Sequence, residues 1–227
     1  MAFLVICLTA FLAGTGHGAE PVKLAAKYLP NPVKVHPRVI SGGLPEGDAA
    51  FAELKALGVR TIVSVDGAEP DIATAARHGL KYVHLPHGYD GIPEARVREL
   101  AKAVRELEGP IYLHCHLGRH RSPAAASAAC VTAGFLSSKE ALDVLKVAGT
   151  NPKYRGLFQA VADARPVPAD ELARLKVVFR ERVEGTPLVK SMVALESTYE
   201  RLKAASANGW NRAKDQKSTT PATTPVP

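Results

Sequence analysis

At 227 residues, with 46% hydrophobic and 22% charged side chains, the chain can bury one ordinary globular core, and wholesale disorder is excluded. Lys and Arg number 29 against 22 Asp and Glu, and the resulting net charge of +7 favours anionic partners. Aromatic residues make up only 6% and no recognisable nucleic-acid module is present, so no nucleic-acid partner is expected.

Residues 2–14 form an almost unbroken apolar run without a formal charge. That length suits the core of an export signal and falls short of the roughly 20 residues that span a bilayer. Gly16-His17-Gly18 supplies a small-x-small cleavage pattern, so residues 1–18 are expected to be a signal peptide and the mature chain exported, periplasmic or secreted. The alternative is an uncleaved segment that anchors the chain, which is the only membrane contact expected. Cys7 lies too early in the run for a lipoprotein cysteine. Its removal leaves Cys115 and Cys130, too thin a framework for a disulfide scaffold. Cys130, in a run of small apolar residues, reads as a buried free thiol.

From about Val39, short apolar runs alternate with amphipathic ones. Residues 61–65, 82–85 and 111–114 read as strands. Residues 47–57 and 71–78 read as helices stopped by Gly58 and Gly79. Pro93 opens a helix with Val97, Leu100, Ala101, Val104 and Leu107 on one face. Ser122 and Pro123 start an alanine-rich helix reaching Gly134, and residues 138–147 form another. This alternation predicts an α/β fold with a central, mainly parallel sheet flanked by helices. Residues 28–165 are assigned to that domain. Residues 166–208 are expected to add a C-terminal helical hairpin, with one helix over 168–182 and a second opened by Thr186 and Pro187. In the second, Leu188, Met192, Leu195, Tyr199 and Leu202 recur at seam spacing. The tail, 209–227, is rich in Thr, Pro and Lys and is expected to be disordered.

The chemistry is concentrated in residues 111–122, Ile-Tyr-Leu-His-Cys-His-Leu-Gly-Arg-His-Arg-Ser, which run strand, tight loop, helix. Such a loop aims backbone N–H groups at one spot and adds the helix dipole, a cradle for phosphate. Arg121 offers a bidentate fork to two phosphate oxygens. Cys115 at the start of the loop makes the cradle reactive, since the same positive field stabilises a thiolate that can attack phosphorus. Ser122 is placed to hydrogen-bond the sulfur, and His114 to hold the loop through its backbone.

The segment resembles the HCxxGxxRS signature of the protein tyrosine phosphatase superfamily through His114, Cys115, Gly118, Arg121 and Ser122. Over roughly 39–157 the chain looks like the compact dual-specificity branch. The resemblance implies a phosphomonoester hydrolase that works through a phosphocysteine and needs no metal or other cofactor. A general acid is also required. Asp66 and Asp90 both follow predicted strands at the end where parallel sheets bind ligands. The resemblance favours Asp90, because the family's acid lies on the loop before the cysteine-bearing strand. That loop, residues 87–93, lacks the Trp-Pro-Asp of the larger tyrosine-specific enzymes.

The variable loop positions His116, Leu117, Arg119 and His120 complete the expected substrate-binding set with Gly118. Three of these four can carry positive charge, which resembles phosphatases acting on polyanionic substrates; side chains that simply face solvent are the alternative. The expected partner is a phosphorylated substrate, whether phosphoprotein, phosphoinositide or inositol phosphate. Three rival readings stand beside the hydrolase. A metal site built on His84, His87, His114, His116 and His120 is disfavoured, because no acidic ligand group lies beside them. A rhodanese-like sulfur transferase has a shorter active loop. A non-catalytic phosphate-binding module would carry much the same sequence.

Overall fold

A computed structural model describes residues 20–210 apart from Thr186 and Asn208. The signal peptide expected over 1–18 and most of the tail expected over 209–227 lie outside the described residues. The chain divides into two compact units, the first ending at Val183 and the second starting at Glu184.

Six strands form one sheet in the first unit: β1 (Val22–Lys23), β2 (Val33–His36), β3 (Val39–Gly42), β4 (Thr61–Ser64), β5 (Lys81–His84) and β6 (Ile111–His114). Their order is β1-β2-β3-β6-β4-β5, with β6 in the interior between β3 and β4. Pairing is antiparallel among β1, β2 and β3 and parallel from β3 onward. His114 pairs with Gly42 on one side and Ser64 on the other, so three parallel strands end level. The loops after them, with Cys115, Gly43 and Asp66, therefore open at one end of the sheet.

Period-two alternation assigns each sheet residue to a face. Ile111, Leu113, Val63 and Val83 join one core. It is covered by α3 (Glu94–Glu106), α4 (Arg121–Thr132), α5 (Ser138–Ala148) and α6 (Arg155–Asp163). Tyr112, Ile62, Ile40 and Tyr82 join the other, under α1 (Gly47–Ala56) and α2 (Ile72–Arg77). The predicted mainly parallel sheet flanked by helices is what the structure contains. Every residue of α4 is buried. Its alanines let it approach both the sheet and the neighbouring helices closely, which larger side chains would prevent. α5 starts on a capping box between Ser137 and Glu140. Cys130 is fully buried and its thiol is pushed up to about 12 by burial, while both Cys115 and Cys130 are free.

Two features differ from the sequence reading. Strands β1 to β3 and helix α6 complete the domain beyond the elements assigned from patterning. The helix implied over 168–182 stops early, as α7 (Ala169–Arg174), and the chain continues without regular secondary structure. The first of the two helices expected for the C-terminal hairpin is therefore short. Lys176-Val177-Val178-Phe179 includes a β-branched pair that disfavours a helix, and at the open edge of β5 His84 N–H bonds Arg180 O. Leu172 is fully buried, so the first unit runs well past the boundary expected at 165. In the second unit, α8 (Pro187–Ala207) carries the stripe Leu188, Met192, Leu195, Tyr199 and Leu202, all exposed. Among the described residues no helix is long and apolar enough to cross a membrane.

Candidate active site

β6 ends at His114, and residues 115–120 turn tightly into α4. Three carbonyls of this loop are bonded from outside. His116 O accepts from Leu44 N–H at 3.0 Å, Gly118 O from Asn31 Nδ2 at 2.9 Å, and Arg119 O from Thr150 Oγ1 at 2.7 Å. In a trans peptide the next N–H points opposite to the carbonyl. The N–H groups of Leu117, Arg119 and His120 are thereby turned to the inner side of the loop. Gly118 makes the turn possible: its φ is +69°, and an added Cβ would lie 2.5 Å from the Gly42 carbonyl carbon.

Cys115 is 2% exposed at the mouth of this loop. Its Sγ lies 3.2 Å from Ser122 Oγ, which in turn lies 2.8 Å from Gly42 O. A hydroxyl has one proton to donate. While that proton goes to the Gly42 carbonyl, the sulfur must be the donor to Ser122; a thiolate would instead draw the serine proton to itself. His114 is fully buried, with Nδ1 3.4 Å from Cys115 O and Nε2 2.6 Å from the Tyr82 hydroxyl. A carbonyl can only accept, so Nδ1 carries the proton and Tyr82 donates to Nε2. Burial lowers the His114 pKa to about 4, which keeps this ring neutral.

Arg121, the first residue of α4, is 5% exposed. Its Nη2 lies 3.0 Å from Asp66 Oδ2, and its guanidinium carbon sits 4.3 Å from the centre of the Tyr89 ring. Burial alone would raise the Asp66 pKa. The Arg121 charge and the Ala68 N–H outweigh it and hold the carboxyl below its ordinary range. Asp66 is therefore an ionised partner of the arginine.

Asp90 is exposed on the loop after β5. Its backbone is wedged against α6, where a Cβ at Gly156 would collide with the Asp90 carbonyl. The neighbouring Tyr89 brings this loop to the cradle, with its ring 5.0 Å from Tyr154 and 6.5 Å from His120. Of the variable positions, Leu117 and Arg119 are exposed and His116 is half-buried. His120 is pinned by Asn151 N–H at 3.3 Å and packs on Tyr154 at 4.6 Å. Burial first, then Arg119 and Arg121, lower its pKa, so it does not add to the positive charge of the rim at neutral pH.

The structure thus gathers Cys115, Ser122, His114, Gly118 and Arg121 around one loop and sets the Asp90 loop beside it. Sequence reasoning missed the pairing of Asp66 with Arg121, the outer pins Asn31 and Thr150, and the Tyr89 and Tyr154 rings. Asp66 had a signal, its place after a parallel strand; the two pins had none. Among the described residues no group of three His, Cys, Asp or Glu side chains is placed to hold a metal ion.

No family model matches the chain. A beta-lactamase hydrolase-like protein of Agrobacterium fabrum is 30% identical over 95 residues, 38% of this chain and 22% of that protein. The chain thus spans about a fifth of the length of this curated relative. Among solved structures, TpbA of P. aeruginosa superposes with a TM-score of 0.54 at 22% identity, covering 70% of this chain and 95% of that one. TpbA in complex with pTyr gives 0.53 at 21% identity, with the same coverage. The core catalytic domain of the PP-IP phosphatase SIW14 from S. cerevisiae gives 0.50 at 18% identity, covering 67% and 93%. The chain has the fold shared by TpbA and the core catalytic domain of the PP-IP phosphatase SIW14.

Proposed function

We propose that the chain is a phosphomonoester hydrolase acting through a phosphocysteine. The observation that carries the reading is the convergence of Cys115 Sγ, the Ser122 hydroxyl and Arg121 on one loop whose carbonyls are pinned outward. Arg121 and the inward N–H groups bind the phosphoryl oxygens. The Cys115 thiolate attacks phosphorus, the P–O ester bond breaks, and Asp90 gives its proton to the leaving oxygen. Water then attacks the phosphocysteine, Asp90 takes back a proton, and the S–P bond breaks to release phosphate. The departing thiolate is met by the Ser122 proton. Asp66, ionised beside Arg121, is a poor proton donor, which supports Asp90 in that role.

The likeness to TpbA, solved with pTyr, and to a PP-IP phosphatase supports a phosphorylated substrate, either a phosphoprotein or an inositol phosphate. The apolar run at 2–14 supports export, which N-terminal sequencing of protein recovered outside the cytoplasm checks. The test of the activity is hydrolysis of a small aryl phosphate, with chelator and reductant present, by wild type and Cys115→Ser. Turnover that survives chelation and vanishes in the variant supports the mechanism. Turnover retained by Cys115→Ser overturns it.

A further inference from the structure

The stretch 175–183 takes no part in the chemistry above, yet it is bonded to the loop that carries Asp66. β5 is an edge strand, and an edge leaves a row of N–H groups in need of partners. His84 N–H donates to Arg180 O at 2.8 Å. The buried His84 ring makes two more bonds. Its Nδ1 accepts from Val183 N–H at 3.1 Å, and its Nε2 lies 2.7 Å from Asp66 O. Backbone N–H can only donate and a carbonyl can only accept, so both contacts are met only by the neutral ring with its proton on Nε2. Arg182 pairs with Glu69 at 3.2 Å and fastens the same loop at the surface.

Asp66 is thereby held at every polar atom. Its N–H meets Ser64 Oγ at 3.3 Å, its carbonyl meets His84, Oδ1 accepts from Ala68 N–H at 3.2 Å, and Oδ2 accepts from Arg121 at 3.0 Å. Functional groups must be held within about 0.5 Å to act, and the supporting side chains set that tolerance. We propose that His84 is a positioning residue for the phosphate clamp. It ties the strap formed by 175–183 to Asp66 and so fixes the carboxylate that aims Arg121. The inference rests on the reading of Arg121 as the phosphate-binding arginine.

Inorganic phosphate titrated calorimetrically into the full chain tests it. Val183→Pro deletes the N–H that His84 accepts, at a position outside any helix or strand. Val183→Ala keeps that N–H, and His84→Gln breaks the bridge from the other side. Val183→Pro and His84→Gln are expected to weaken phosphate binding about fivefold, the factor that one net hydrogen bond carries, with Val183→Ala near wild type. A histidine with only a structural role would act independently of Asp66. Repeating Val183→Pro on Asp66→Asn is therefore decisive, because coupled sites are not additive. The fivefold effect should shrink below about twofold there, since the strap acts through that carboxylate. Phosphate binding by Val183→Pro and His84→Gln equal to wild type overturns the inference and leaves the clamp reading standing. So does an undiminished effect on Asp66→Asn. No phosphate binding by the wild-type chain overturns the clamp reading and this inference together.

Discussion

Arg121 Nη2 stands 3.0 Å from Asp66 Oδ2, and both side chains are almost sealed from solvent. The pair sets the guanidinium before any substrate arrives, with one edge on the carboxylate and its face over Tyr89. A buried ion pair is no strong source of stability by itself, but removing one partner leaves an uncompensated charge.

The two aspartates should separate cleanly. Asp66→Asn is expected to destabilise the fold by about 1–3 kcal/mol, read from urea melts, through a weakened bond to a charged group. It should lower kcat/KM for aryl phosphates of good and poor leaving ability alike. Asp90→Asn should slow poor leaving groups about 10²–10⁴-fold, the range of general acid catalysis, and spare good ones. Leaving-group dependence in Asp66→Asn instead would remove Asp90 from the acid role.

Gly118→Ala places a side chain on a left-handed residue and against the Gly42–Gly43 backbone. The conformation costs about 1–2 kcal/mol and the overpacking about 1–3 more. Denaturant melts are expected to show a loss of about 2–5 kcal/mol, with phosphate binding lost at temperatures where the fold survives.

The outer pins can be removed one at a time. Asn31 has φ of 48° and bonds both Gly118 O and Ala148 O, so Asn31→Gly keeps the backbone and deletes only the amide. Thr150→Val deletes the bond to Arg119 O at nearly constant volume. Asn31→Gly is expected to lower stability by about 2 kcal/mol and Thr150→Val by about 1 kcal/mol, and each to weaken phosphate binding by about fivefold. Unchanged phosphate affinity in both variants would show that the loop keeps its shape without them.

Stability should fall on mild acidification. Burial lowers the His114 and His87 pKa values from 6.5 to about 4. Between those values the unfolded chain takes up protons that the folded chain refuses, so stability falls as pH falls from 6.5 toward 4. For His114 the loss across that window is roughly 3 kcal/mol. Urea midpoints at pH 7 and 4.5 measure it, and His114→Asn should flatten the profile. An equally steep profile in that variant would place the pH dependence elsewhere.

The reactive loop was legible because it is contiguous. Cys115, Gly118, Arg121 and Ser122 lie within one turn between a strand and a helix, so their spacing alone brings them together. The parallel sheet was legible from apolar runs alternating with amphipathic ones. The strap was misread because Leu172, Leu175 and Phe179 are spaced for a helix face, whereas packing and the edge of β5 decide their conformation.

The amino-acid sequence by itself determined the α/β class, the strand–loop–helix cradle and the identities of the groups within it, because period and spacing act over a few residues. Only the tertiary structure decided what aims those groups. Asp66 reaches Arg121 across 55 positions because β4 lies beside β6. Asn31 reaches Gly118 across 87, on the other side of β6, where β3 lies beside it. Such meetings depend on strand order, which is set by how the whole core closes and leaves no local pattern in the chain.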